Sequence, residues 1–421
     1  MYYDQFMSYS FHLIKGHISC FPGSIMFGYV TDVDEGLFAK LLKKNGVENC
    51  NFFVAVPRLL AQTWIDKPNE YRTYEVLCEA AWDDGNVCAE VPRYLARKQL
   101  ELLRHEFGYR LTSAFECEFQ VLNRDTLQPE FNSKDYLSNL RMNESIAWLY
   151  DVEKHVRPNG VDVRSIHAEY AEGQFEITFM PQDGLQTADS IFMFKQAIKE
   201  IARQHGKLAS FMTKIFKFGA CNGQHFNHSL WNDEDESVFW DASKPDKLSD
   251  VARHWIGGTL KHFNAITALC CPTVNCYRRL HTIIAPDRAN WSIDNRNMAL
   301  RVVNTSAGAM RLENRLPSSP CNPYLVLAAT VAAGIDGLRN KIEPPPAGLN
   351  EDAAKLPHTL EEALTSLEAD DVIKTALGDE FVSAFTMLKR NIECKKFKEH
   401  DMKKFIDAEV AAERDDYLVH C

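Results

Sequence analysis

Charged and apolar residues alternate one by one along residues 310–316, which read Met-Arg-Leu-Glu-Asn-Arg-Leu. Successive side chains of a β-strand point to opposite faces. This stretch therefore predicts a strand with two arginines and a glutamate on one face and apolar residues on the other. The polar face carries Arg311, Glu313 and Arg315.

The same alternation recurs in three earlier stretches, residues 113–119, 169–176 and 224–230. Any one of them alone would be interpreted as a strand with one solvated face. Four strands whose polar faces carry residues able to bind metals or anions instead predict a shared site. The polar positions are Glu116 and Glu118, Glu169 and Glu176, and His225, Asn227 and Ser229.

Helices are predicted between these strands, where apolar residues recur three and four positions apart. Proline or a capping residue marks several starts, and glycine or proline marks several ends. The predicted helices are 92–107, closed by Gly108; 136–155; one capped by Thr187 and stopped at Gly206; 248–271, with Gly257 and Gly258 inside for close packing or a kink; and 324–338, capped by Asn322.

Strands with polar faces alternating with long helices are typical of the α+β class, with a curved, mostly antiparallel sheet backed by helices. At 421 residues the chain is long enough for two domains. Residues 1–75 hold short predicted strands, a predicted helix at 37–44 and no chemical motif, which predicts a small N-terminal domain. Residues 76–421 would form one large domain.

Composition excludes some classes of protein. A formal charge of −11 argues against nucleic-acid binding and against binding an anionic membrane surface. No apolar run reaches the roughly 18 residues that cross a bilayer, and the first ten residues do not resemble a secretory signal. The 12 cysteines are scattered without a Cys-x-x-Cys pair, which indicates free thiols in a cytoplasmic protein.

The polar faces supply a set of hard metal ligands. Five carboxylates and one imidazole suit Mg²⁺ or Mn²⁺ and disfavour structural zinc. Six ligands are too many for one Mg²⁺ that keeps several waters, so two or more ions are predicted. The candidate ligands are Glu116, Glu118, Glu169, Glu176, His225 and Glu313.

Five candidate arginines fall within 37 residues and are interleaved with apolar positions. Arginines next to core residues usually meet an anion, and phosphoryl transfer from a nucleotide would use both the metals and the arginines. No Gly-rich phosphate loop is present, so metals and arginines would hold the nucleotide. The arginines are Arg279, Arg296, Arg301, Arg311 and Arg315.

Eight motifs, in this order, resemble the glutamine synthetase family from about residue 72 to 345. They are Glu-x-Glu-Phe at 116–119, Glu-Tyr-Ala-x-Gly-Gln-Phe-Glu at 169–176, Ser-Phe-Met-x-Lys at 210–214, residues 225–231, Asn-x-Tyr-x-Arg-Leu at 275–280, Asp-Asn-Arg at 294–296, Arg-x-Glu-x-Arg at 311–315 and Asn-Pro-Tyr-Leu at 322–325.

The resemblance implies a β-grasp N-terminal domain, a dodecamer of two hexameric rings, and ATP-dependent ligation of glutamate to ammonia or an amine through γ-glutamyl phosphate. It also implies roles for individual residues. Glu118, Glu169 and Glu176 would bind one metal, and Glu116, His225 and Glu313 another; Arg279 and Arg315 would hold substrate carboxylates; Arg296 and Arg301 would act on the transferred phosphate; and Ser229, Arg301 and Arg311 would contact the nucleotide.

Several positions depart from the family pattern. Asn227 stands where the family has a second histidine, and His228 would face the other way. Ile284 replaces a glutamate that helps to bind ammonium. The family's Asp-Gly-Ser-Ser loop survives at most as Gly23-Ser24. The changes at Ile284 and in the loop favour an amine over ammonia as the nitrogen donor, whereas the loss of the histidine at Asn227 weakens the nucleotide site.

A second interpretation stays open. The sequence around the motifs, such as Pro-Arg-Tyr-Leu-Ala-Arg-Lys-Gln-Leu at 92–100, is similar to that of a branch of the family from the eye lens. This branch is regarded as non-catalytic. That similarity implies an oligomeric structural or chaperone-like protein acting on intermediate filaments.

Overall fold

The computed structural model describes residues 86–131, 136–280, 282 and 285–421, together with Leu77 and the short strands 19–20, 50–54, 61–62, 74–75 and 78–82. Its strands are β1 (Ser19–Cys20), β2 (Cys50–Val54), β3 (Ala61–Gln62), β4 (Tyr74–Glu75), β5 (Cys78–Trp82), β6 (Arg110–Asn123), β7 (Val163–Ala168), β8 (Gln174–Phe179), β9 (Gln182–Asp183), β10 (Lys207–Ser210), β11 (Gln224–Trp231), β12 (Trp291–Ile293), β13 (Leu300–Val303) and β14 (Arg311–Asn314).

The α-helices lie between and after these strands. They are α1 (Pro92–Phe107), α2 (Asn139–Val156), α3 (Gln186–Gln204), α4 (Asp250–Lys261), α5 (Phe263–Cys270), α6 (Pro323–Asn340), α7 (Leu360–Ala369), α8 (Asp371–Leu377), α9 (Asp379–Lys389) and α10 (Asp407–Tyr417). None of the helices within the described ranges is long and apolar enough to cross a membrane.

A nine-stranded sheet organises the large domain. Its main path runs β12-β13-β14-β11-β6-β8-β7, and β9 and β10 also pair with β6. The pairs along this path are antiparallel except for β12 with β13, which is parallel. The predicted α+β class, with a sheet backed by helices, is therefore confirmed.

The central strand β6 separates a core face from a site face by strict alternation. On the core face, the ring of Phe115 packs at 4.7 Å from the tilted ring of Phe226 of β11. Phe119 lies 5.9 Å from Phe175 of β8 and meets Phe194 of α3 edge-on at 6.3 Å. These aromatic rings are fully buried, so the helices cover this face and leave the alternate residues of β6 on the other.

The predicted bounds of α1 and the predicted cap of α6 are confirmed, and the predicted starts of α2 and α3 are wrong. Helix α1 has the predicted bounds, and the left-handed Gly108 (φ 71°) closes it. Asn322 caps α6 through Oδ1, which accepts from Tyr324 N at 3.0 Å and Leu325 N at 3.3 Å. Thr187 does not cap α3, because the helix begins one residue earlier and Thr187 lies inside its first turn. Helix α2 begins at Asn139 rather than at residue 136.

The helix predicted over 248–271 is two helices that meet at His262. The His262 ring lies 2.6 Å from Asp370 Oδ2 and 2.9 Å from Asp336 Oδ2. The two glycines serve close packing, since a Cβ on Gly258 would lie 2.4 Å from the carbonyl oxygen of Ala333 in α6. Helices α4 and α6 therefore cross backbone against backbone.

The predicted N-terminal domain at 1–75 lies mostly outside the described residues, as do the helix predicted at 37–44, Gly23-Ser24 and Ile284. Strands β1, β2 and β5 form a small antiparallel sheet, and β3 pairs with β4. The domain boundary and the β-grasp topology stay predictions. The nine cysteines from Cys88 to Cys421 are free thiols.

Candidate metal and phosphate site

Strand register builds the first cluster on the site face. Glu116 of β6 lies opposite His225 of β11, and Asn227 of β11 lies opposite Glu313 of β14. His225 Nδ1 is 3.2 Å from Glu116 Oε2 and 3.5 Å from Glu313 Oε1. One ligand atom from each of these three side chains lies within 4.8 Å of the others. The structure thus brings together the three residues predicted to share a metal.

The carboxylate of Glu116 is kept ionised in this cluster. Burial alone would raise its pKa, but hydrogen bonds from His225 and Asn227, with the charge of Arg315 nearby, lower the pKa to about 2. Asn227 Nδ2 donates to Glu116 Oε1 at 2.9 Å. A carboxylate that stays ionised beside a second carboxylate and an imidazole is well suited to a divalent cation.

A second cluster lies in the neighbouring row of the sheet. Glu118 of β6, Glu176 of β8 and His167 of β7 lie opposite one another across three strands, and Glu169 follows β7 directly. His167 Nε2 is 3.1 Å from Glu169 Oε1 and 3.6 Å from Glu176 Oε1. His167, Glu169 and Glu176 each offer a ligand atom within 4.8 Å of the others.

Glu118 is oriented differently from its predicted role. Its Oε2 accepts from Gly223 N at 2.8 Å and from Gln174 Nε2 at 3.2 Å. The structure therefore brings Glu169 and Glu176 together as predicted, with His167 rather than Glu118 as the third ligand of the compact group. His167 was not predicted, although its spacing of two from Glu169 places both side chains on one strand face.

Burial and mutual repulsion make this row of carboxylates a candidate cation site. Burial raises the pKa of Glu176 to about 9, and the charges of Glu116, Glu118, Glu169 and Glu313 add to the effect. Burial also raises the pKa of Glu118, with a contribution from Glu169. Oxygen ligands with one imidazole in each cluster fit Mg²⁺ or Mn²⁺, and a bound ion would relieve the repulsion.

Three of the candidate arginines surround the first cluster. Arg301, opposite Glu313 in the β13–β14 register, donates from Nη1 to Glu313 Oε2 at 2.8 Å and also pairs with Asp294. Arg315 pairs with the other oxygen of Glu313. Arg311 Nε donates to Asn227 Oδ1 at 3.0 Å. Positive charge therefore borders the carboxylates on the β13 and β14 side.

The other two arginines differ in exposure. Arg279 is buried behind His225, with Nη2 3.4 Å from His225 Nε2, and donates to the carbonyl oxygens of Leu316 and Arg315 at 3.0 and 2.9 Å. Its guanidinium crosses Gly223, where a Cβ would lie 2.9 Å from Nη2. Arg296 is exposed in the turn between β12 and β13. Their predicted roles stay predictions.

A family model described as "Glutamine synthetase, catalytic domain" matches residues 89–406 of the chain. The chain belongs to the glutamine synthetase family. The resemblance carried by the sequence motifs is thereby confirmed, and both clusters and all five arginines lie inside the matched range.

Curated relatives include both glutamine synthetases and lengsins. The chain is 32% identical to glutamine synthetase of Thermus thermophilus over 357 residues, which cover 81% of the chain and 79% of the relative. It is 31% identical to lengsin of Homo sapiens over 372 residues, which cover 82% of the chain and 67% of lengsin. The chain spans 58% of the rat and mouse lengsins.

Solved structures show the same fold. A GmaS/ADP complex has a TM-score of 0.77 and 26% identity, with 88% of this chain and 86% of that chain covered. The glutamine synthetase of Plasmodium falciparum has a TM-score of 0.75 over 86% of each chain, and its 20% identity shows the fold alone.

The departures from the glutamine synthetase pattern have structural counterparts. Asn227, at the position of the second family histidine, bridges Glu116 and Arg311. His228 faces the core, where its Nε2 accepts from Trp255 Nε1 at 3.0 Å and burial lowers its pKa to about 4. Ser229 is on the site face, and its hydroxyl accepts from Trp231 Nε1 at 2.8 Å.

An exposed aromatic pair borders the second cluster. Tyr136 and Tyr170 stack with ring centroids 4.3 Å apart and planes 4° from parallel, and Tyr136 meets His167 edge-on at 6.3 Å. Leu137 fixes the position of this pair, because its nitrogen donates to Ala168 O at 3.1 Å and its φ of 57° is strained for a leucine.

Proposed function

We propose that the protein is an ATP-dependent ligase that joins the γ-carboxylate of glutamate to an amine through γ-glutamyl phosphate. The observation that supports this most strongly is the pair of acidic clusters on one sheet face, bordered by Arg301, Arg311 and Arg315. A related GmaS was solved as an ADP complex, which supports a nucleotide at the equivalent site.

In the first step, a glutamate γ-carboxylate oxygen attacks the γ-phosphorus of ATP, and the bond to the ADP oxygen breaks. In the second step, the amine nitrogen attacks the acyl carbon, the carbon–oxygen bond to phosphate breaks, and the nitrogen releases one proton. Both steps spread negative charge over phosphate oxygens, which Arg301 and Arg311 would neutralise. Arg301 is oriented for this by Glu313 and Asp294.

Each cluster would hold one divalent cation, Mg²⁺ or Mn²⁺. Glu116, His225 and Glu313 would bind the first, and His167, Glu169 and Glu176 the second. When bound, such ions stabilise phosphate charge as Lewis acids. Arg279 and Arg315 would hold the substrate carboxylates, and Ser229 would contact the nucleotide.

An amine is favoured over ammonia by the aromatic pair. Tyr136 and Tyr170 are 37% and 54% exposed beside the second cluster, and an aromatic surface next to carboxylates suits a cation that carries carbon atoms. Ile284, outside the described residues, removes a family carboxylate that helps to hold ammonium. Each CH₂ buried against an apolar surface contributes about 0.8 kcal/mol.

The test is phosphate release with ATP, glutamate, Mg²⁺ and a panel of ammonium, alkyl amines, polyamines and aryl amines, with the product identified by mass. We expect release with an amine and loss of release in Arg301→Gln. Arg253→Gln serves as the matched control, because it removes from α4 a guanidinium that pairs with Asp246. A clear preference for ammonia would overturn the amine assignment.

The second candidate is a non-catalytic structural or chaperone-like protein acting on intermediate filaments. Its support is the 31% identity to lengsin and the replacement of the second family histidine by Asn227. Protein that binds Mg²⁺ and ATP but releases no phosphate with any nitrogen donor would favour this candidate.

Both candidates imply a cytoplasmic homo-oligomer, proposed as a dodecamer of two hexameric rings. Light scattering that gives a monomer mass across salt and metal concentrations would contradict the assembly.

A further inference from the structure

A pocket lies on the helical side of the sheet, on the face opposite the two clusters. Phe211, one of its walls, packs at 5.5 Å against Phe119 on the core face of β6. The pocket has an empty volume of about 750 Å³, part of which is open solvent, and has room for about five to seven water molecules.

The walls of the pocket are mainly apolar and come from four elements distant in sequence. Helices α3, α5, α6 and α9 each contribute one or more side chains, and Phe211 follows β10. Apolar pockets with a few placed polar groups are typical small-molecule sites. The apolar lining includes Phe192, Phe211, Leu269, Leu325 and Phe385.

Lys195 places a cation in this wall. Its Nζ donates to Ser319 O at 2.6 Å and Cys321 O at 3.0 Å, and lies 5.1 Å from the centre of the Phe211 ring. An ammonium group has three donors, so one remains after these two bonds. Within the described ranges, no carboxylate forms an ion pair with Lys195, whereas the neighbouring Lys389 is paired with Glu393.

Lys195 is only half-buried, so its remaining donor is accessible to water or to an anionic ligand. A carboxylate could accept the third hydrogen bond and neutralise the charge, and a charge-assisted bond of this kind is stronger than a neutral one. A neutral apolar molecule would fill the space but leave Lys195 without an anion. The lining therefore favours a ligand with an apolar body and one acidic group.

We propose that this pocket binds a small carboxylic acid, with the carboxylate on Lys195 Nζ and the apolar body against Phe211, Leu269 and Leu325. The acid has the size of hexanoate or benzoate, which represent the two sources of this chemistry, a short fatty acid and an aromatic acid. This site is separate from the ligase site proposed above and does not depend on catalysis.

The experiment is calorimetric titration of the full chain with hexanoate and benzoate, and with 1-hexanol and benzyl alcohol as neutral analogues. Methyl NMR signals of Leu269 and Leu325 report where each compound binds. We expect the acids to shift these signals and to bind about tenfold more tightly than the alcohols. The acid that binds more tightly shows whether the natural ligand is a short fatty acid or an aromatic acid.

Substitutions test the role of Lys195. We expect Lys195→Met to weaken binding of the acid about tenfold and Lys195→Arg, which keeps the charge, to weaken it much less. Lys244→Met is the control, because it removes a lysine that pairs with Asp250 at the start of α4. Equal affinity for acid and alcohol, unchanged binding in Lys195→Met, or an absence of shifts at both leucines would each overturn the proposal.

Discussion

Replacing Glu313 by glutamine separates the two functions that the structure gives this carboxylate. Without metal, Glu313 neutralises Arg301 and Arg315; with metal, it would also be a ligand. Glutamine keeps the shape of the side chain and removes the charge, so the free energy of unfolding with and without Mg²⁺ distinguishes the two effects.

The metal-free loss follows from what each arginine retains. Arg301 keeps its ion pair with Asp294, whereas Arg315 forms no other ion pair among the residues that the structure describes. Breaking a buried pair costs about 3–5 kcal/mol. Arg315 retains 12% side-chain exposure, and loss of Glu313 relieves repulsion on Glu176, so we expect the lower end, about 3 kcal/mol.

The metal-dependent gain is calculated separately. A ligand at 100 times its dissociation constant stabilises the folded state by about 2.7 kcal/mol per site. Two ions would stabilise the wild type by about 5 kcal/mol, and Glu313→Gln should retain about half of this gain. His167→Gln, in the other cluster, should also lose about half, and the double variant should lose nearly all of it.

Urea unfolding at fixed protein concentration, in EDTA and in Mg²⁺, measures both quantities. Glu101→Gln is the control, because Glu101 is 63% exposed and pairs only at the surface with Arg97. If Mg²⁺ stabilises Glu313→Gln as much as the wild type, the first cluster does not hold an ion, whatever the metal-free loss.

Three further predictions concern pH, packing and the nitrogen donor. Burial lowers the pKa of His262, but its two aspartate partners raise the pKa overall. The stabilisation by His262 is therefore present below about pH 6.5 and is lost as pH rises through the higher folded pKa. The difference in unfolding free energy between wild type and His262→Gln should shrink from pH 5.5 to 8.5, and a constant difference would contradict this. Gly258→Ala should lower the free energy of unfolding in urea by about 1–3 kcal/mol, because the new Cβ meets the α6 backbone. Gly308→Ala should be near neutral, because no atom lies within 4 Å of its new Cβ; equal effects would contradict the packing argument. If the ligase proposal holds, Tyr170→Ala should raise KM for a carbon-bearing amine more than for ammonia, and Ile284→Glu should shift preference toward ammonia; unchanged KM ratios in both variants would count against the amine assignment.

Alternation along single strands was enough to predict which side chains share the site face. Glu116, His225 and Glu313 each lie in a stretch whose apolar residues fix the orientation of the strand. His167 was not predicted, because its position opposite Glu176 depends on the pairing of β7 with β8, which neither strand encodes alone. The orientation of Glu118 depends on Gly223 N, 105 residues away.

Tertiary contacts also explain the interrupted helix at His262. The apolar pattern over 248–271 is continuous, and the bonds to Asp336 and Asp370 join residues 74 and 108 positions away. Long-range bonds of this kind override local helix preference. The start of α3 at Gln186 rather than after Thr187 has no clear physical explanation in the contacts of that turn.

The alternation of core-face and site-face residues on β6 also limits which mutations this protein can tolerate during evolution. Deleting one residue from the middle of β6 would move Glu116 and Glu118 into the space of Phe115 and Phe119, so the strand would lose its core and its site together. Single substitutions on the site face, by contrast, can abolish chemistry and leave the core intact. If the ligase proposal holds, a descendant that had lost catalysis would keep the spacing of these motifs, and only the identities of its site-face side chains would differ.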